Sequence, residues 1–121
     1  MEKFRKEVEI PIFGGTLVVE IVKNWKKLNK QYDCDYDSTV NGTAYYAIKE
    51  NGGSEFVIAF LGKPSYALIV HECIHLVNAV FRYRGIKLDP KNDELRAYLT
   101  EWVFQKTVDI LEENYVLQIF K

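Results

Sequence analysis

The chain has 121 residues, 48% hydrophobic and 27% charged, and its sixteen Lys and Arg against seventeen Asp and Glu leave a formal charge of −1. That length suits one domain around a single core, and that balance excludes a disordered chain. Without a basic excess or stripe, a general nucleic-acid binder is also disfavoured. No stretch approaches the run of about 18 apolar residues that a membrane span needs, and MEKFRKEVEI lacks the apolar core of a secretory signal, so a cytoplasmic location is expected.

The first segment alternates, with Phe4, Val8, Ile10 and Ile12 on one side and Arg5, Glu7 and Glu9 on the other, as a half-buried strand from Phe4 to Ile12 requires. Gly14-Gly15 marks a turn. Thr16 to Val22 is a second strand with Leu17, Val19 and Ile21 facing one way, so the two are expected to form a hairpin. Trp25, Leu28 and Tyr32 recur at helical spacing in KNWKKLNKQY, a short basic helix, and DCDYDSTVNG reads as a loop. Thr43 to Glu50 and Ser54 to Leu61 form a second hairpin around Asn51-Gly52-Gly53, and the continuous run Phe56 to Phe60 predicts a strand covered on both faces.

Pro64 in a first turn and Gly85 just past the end bracket a helix from about Pro64 to Arg84. Asp89-Pro90 reads as a cap and a first-turn proline, opening a long helix through Trp102, Val103, Val108 and Leu111 to about Tyr115. The fold class expected is α+β, a small, mostly antiparallel sheet of about four strands packed on these two helices, in a single domain spanning residues 1–121.

The helix from Pro64 carries HECIH. His71 and His75, four apart, project from one helix face at a separation that one metal ion can bridge, and Glu72 lies about 100° round the helix, beside a metal-bound water rather than in the ion's first shell. Zinc lowers the pKa of its water to about 7, so a neighbouring carboxylate can take that proton and pass it to a leaving amine. Peptide or amide hydrolysis with Glu72 as base is the expected chemistry. Cys73, two residues from each histidine, points elsewhere and reads as a packing residue; with Cys34 it makes too few cysteines for a disulfide framework.

A catalytic zinc needs a third protein ligand. Both histidines of the chain are already used, so Asp, Glu or Cys must supply it. Glu94, early in the next helix, is the first candidate, with Asp93 second and Glu101, on nearly the same face as Glu94, third. Asp89 reads as a cap. Tyr98 shares a face with Glu94, so its hydroxyl could stabilise an oxyanion, against the simpler reading of an aromatic packed between helices. Tyr66 and Tyr83 read as packing residues or helix-end contacts. Asn78 is either a partner behind the metal ligands or a solvated position.

With HECIH and a downstream Glu in hand, the chain resembles the zincin metallopeptidases, and in particular the gluzincin branch, including minimal gluzincins and small HExxH proteins of phages and mobile elements. The resemblance covers about Lys63 to Leu111. It implies His71, His75 and Glu94 as zinc ligands, Glu72 as general base and a zincin-like sheet. One strand of that sheet, Thr43 to Ile48 or Glu55 to Leu61, would pair with an extended peptide or protein substrate. Four residues after Glu94, where gluzincins often carry an acid, this chain has Tyr98. The alternative expectation is a non-catalytic zinc-binding interaction protein, and either reading leaves room for a second copy, as a homodimer, to complete a shallow site. Lys23, Lys26, Lys27 and Lys30 near Trp25 read mainly as a solvated face.

Overall fold

The computed structural model describes residues 3–87 and 89–114. Its elements are β1 (Phe4–Glu9), β2 (Thr16–Val22), α1 (Lys26–Tyr32), β3 (Gly42–Ile48), β4 (Ser54–Leu61), α2 (Tyr66–Tyr83), a 3-10 turn (Pro90–Asn92) and α3 (Asp93–Glu113). Among the described residues the class is α+β, with four strands and three α-helices.

The strands lie in the order β1-β2-β4-β3. Both hairpins are antiparallel as expected, but they join through a parallel pairing of β2 with β4, Leu17 opposite Phe56 and Val19 opposite Ile58, so the sheet is mixed. The cause is the connection. Parallel neighbours need a crossover rather than a tight turn, and here α1, the following loop and β3 make it, leaving β3 outermost and returning β4 to the interior.

Strand β4 is then buried from Ser54 to Phe60. Phe56, Ile58 and Phe60 join Leu17, Val19 and Ile21 under α2 and α3, while Val57 and Ala59 join Val18 and Val22 under Trp25 and Leu28. Two covered faces explain a strand with no polar alternation. At the side, Arg5 of β1 donates to Glu55 of β4 at 2.6 Å and to the Tyr32 hydroxyl of α1 at 2.9 Å.

The first strand stops earlier than its alternation suggests. Ile10 is buried and its N–H bonds to Gly15 O, but Pro11 to Phe13 form a turn in which Ile12 has φ 68° and is 94% exposed, not facing the core. Gly15 (φ +85°) closes this turn where a Cβ would come within 2.7 Å of Ser54 Oγ, so its place admits no side chain.

Helix α2 starts after Ser65, whose Oγ accepts from Leu68 N at 3.1 Å; Pro64 therefore precedes the cap instead of occupying the first turn. Gly85 (φ +70°) follows the helix end as expected. Asp89 caps the next segment by accepting from Lys91 N at 2.9 Å, but Pro90 opens a single 3-10 turn before α3 begins at Asp93. The expected helix end at Tyr115 falls outside the described residues. Among those residues no helix is long and apolar enough to cross a membrane.

Phe56 is fully buried where β2, β4 and α2 meet. Phe56→Ala is expected to cost about 3–5 kcal/mol, read by urea unfolding; a loss below about 1 kcal/mol would contradict this packing.

Candidate active site

Helix α2 buries Ile69, Cys73, Leu76, Val77 and Val80 against the sheet and α3, and that stripe turns His71 and His75 to solvent. Their rings meet edge to face, with centroids 4.8 Å apart, and their Nε2 atoms are 3.3 Å apart. Two nitrogens bound to one tetrahedral zinc at about 2.0–2.1 Å are separated by about 3.3 Å. The pair thus spans one edge of such a coordination shell. Without an ion, the same spacing is a weak hydrogen bond between the two rings.

Glu72 takes the other flank of the helix and is only 6% exposed. It lies over the start of β3, where a Cβ added to Gly42 would sit 3.3 Å from Glu72 Cγ and 3.4 Å from Oε2. The side chain missing from Gly42 is the space the carboxylate occupies. Burial pushes the Glu72 carboxyl above the usual 4.5, against the opposing pull of His71 and His75. Gly42 is a site residue that sequence reasoning missed: Asn41-Gly42 reads as loop, and its φ is not positive, so close approach rather than backbone geometry calls for glycine there.

The third ligand is not brought to this pair. Among the described residues no three or more His, Cys, Asp or Glu side chains are grouped so as to hold one ion. Glu94 is exposed at the start of α3, and the rotation of that helix explains why. Arg96 donates to Asn78 Oδ1 on α2 at 3.1 Å, and Leu99 and Val103 are buried in the core. Glu94 stands about 160° round the helix from Arg96 and about 140° from Leu99, away from both of these contacts. Asp93 and Glu101 line a groove between α2 and α3 with Val70 and Ile74, without joining the histidines in a metal-binding group.

Asn78 takes Arg96 as its partner. Tyr98 is 65% exposed and so is not packed between the helices. Tyr83 packs on Tyr46 and Phe56. Cys73 is fully buried, its thiol pushed up to about 12 by that burial, which fits a packing role. Trp25 is buried with Nε1 donating to Val40 O, leaving the four lysines as an exposed face without an exposed aromatic among them. Of the two strands considered for substrate pairing, β4 has neighbours on both sides, whereas β3 is an edge of the sheet among the described residues.

No protein-family model matches this chain, and comparison with curated proteins and with solved structures returns no match. Together with the unassembled third ligand, this overturns the resemblance to zincins and to their gluzincin branch: HECIH is present, but the His71, His75 and Glu94 ligand set is not.

The raised carboxyl of Glu72 gives a signed expectation for the metal-free protein. Below 4.5 the group is protonated in both folded and unfolded chains; as pH rises past that value the unfolded chain ionises first, so folded stability falls until the folded carboxyl has ionised too. Glu72→Gln removes this loss. In chelator the variant is expected to be the more stable protein at neutral pH and to lose that advantage below 4.5 in unfolding experiments; no pH-dependent difference would contradict the burial of Glu72.

Proposed function

We propose that His71, Glu72 and His75 form the centre of a zinc-dependent hydrolase acting on a peptide or other amide bond. The observation that carries this reading is the 3.3 Å spacing of the two Nε2 atoms beside a buried carboxylate. Bound zinc would acidify a water to about neutrality and polarise the substrate carbonyl. The histidines would hold the ion through Nε2. Glu72, made more basic by burial, accepts the proton of the attacking water and passes it to the leaving amine.

Strand β3 supports an extended substrate. Its outer edge has no neighbouring strand among the described residues, and it begins at Gly42 under Glu72. A peptide adding to that edge by backbone hydrogen bonds would run past the carboxylate. The donor set also supports a second reading. Because the described residues supply two ligands, not three, a metal-binding interaction module without turnover is the alternative.

Zinc is expected to bind at one equivalent per chain by elemental analysis, and His71→Ala or His75→Ala to abolish that uptake. Glu72→Gln should keep the metal while lowering cleavage of a mixed peptide library, read by mass spectrometry, by about 10²–10⁴-fold. Zinc uptake with no cleavage by the unaltered protein would select the interaction module. Cleavage that survives Glu72→Gln would reject Glu72 as base.

A further inference from the structure

We propose that the cavity where the start of β1 and the end of β2 meet α1 binds a small organic phosphate, with Lys3, Lys23 and Lys27 around the phosphate group and an apolar floor under the organic part. The cavity encloses about 530 Å³. None of its lining residues lies on α2, so this site is separate from HECIH and does not depend on a metal there. Ile21, Val22 and Leu28 are buried beneath it and Phe4 is a half-buried wall, while Asn24 and Gln31 join the three lysines at its exposed rim. An apolar floor with a few convergent polar groups is the usual make-up of a small-molecule pocket.

Charge selects the class of ligand. The chain carries seventeen Asp and Glu, yet among the described residues Lys3, Lys23 and Lys27 have no carboxylate within ion-pair distance. Arg5 also lines the cavity but is already engaged, donating to Glu55 at 2.6 Å, to the Tyr32 hydroxyl at 2.9 Å and to Glu20 at 3.4 Å. Glu20, the one carboxylate of the lining, is therefore turned to Arg5, and the open positive charge belongs to the lysines. A planar carboxylate is best matched by the fork of an arginine, and the one here is occupied. Ammonium groups, as point charges with three donors each, suit the three oxygens and nearly double charge of a phosphate monoester. Asn24 adds to them: its Oδ1 accepts from Lys26 N at 3.1 Å, which leaves its amide N–H groups to donate.

The test is calorimetric titration of the full chain with phenyl phosphate, beside inorganic phosphate and beside phosphatidylcholine vesicles containing phosphatidic acid, which carry the same group on a lipid. Phenyl phosphate is expected to bind at a single site and more tightly than inorganic phosphate, which has nothing for the apolar floor. Lys23→Ala with Lys27→Ala, both at exposed positions, should weaken it at least about tenfold. Lys26→Ala with Lys30→Ala, on α1 but outside the lining, should leave it unchanged, and Glu20→Gln, which removes the like charge, should tighten it. No saturable binding of phenyl phosphate, or equal losses in the two lysine pairs, would overturn the site. Binding to the vesicles alone would overturn the free ligand and assign the phosphate to a lipid headgroup.

Discussion

Burial of β4 on both faces is the constraint from which the rest follows. A strand running Phe56-Val57-Ile58-Ala59-Phe60 offers apolar side chains to both sides of the sheet, and each side needs cover. Trp25 and Leu28 supply it on one side, α2 and α3 on the other. Covering Phe56, Ile58 and Phe60 fixes which stripe of α2 turns inward. Once Ile69, Cys73, Leu76 and Val80 face the sheet, helical geometry sends His71 and His75 to solvent and Glu72 to the flank above β3.

That flank position sets two demands against each other. A carboxylate taken out of water costs stability unless it is hydrogen-bonded or paired, and the pull on Glu72 toward the ionised form comes from His71 and His75. The cost is what makes the group a better base, since burial is the largest influence on its pKa and acts to raise it. Gly42 makes the arrangement sterically allowed: at the first position of an edge strand, with ordinary backbone geometry, a larger side chain would compete with the carboxylate for the same volume.

The parts legible in the sequence are those encoded within one element. Strands β2 and β4 begin and end where alternation and the continuous apolar run place them, and the i, i+4 histidines share a face because helix geometry leaves them no choice. Relations between elements were not legible. The parallel pairing of β2 with β4 joins segments more than thirty residues apart, and nothing local distinguishes it from an antiparallel sheet. Ile12 continues the alternation, but Pro11 starts a turn that carries it to the surface. The rotation of α3 was not legible either: its buried stripe includes the polar Thr107, which blurs the apolar period, and the residue that bonds to α2 is Arg96, not the ligand candidate Glu94.

On the metal-binding reading, a 3.3 Å Nε2 separation would let one divalent ion take a lone pair from each ring. The same ion would put positive charge beside Glu72 and offset the desolvation that raises its pKa. On the proposed reading, the two histidines and the buried carboxylate thus suit one another around a cation, which would relieve the burial cost that Glu72 carries alone.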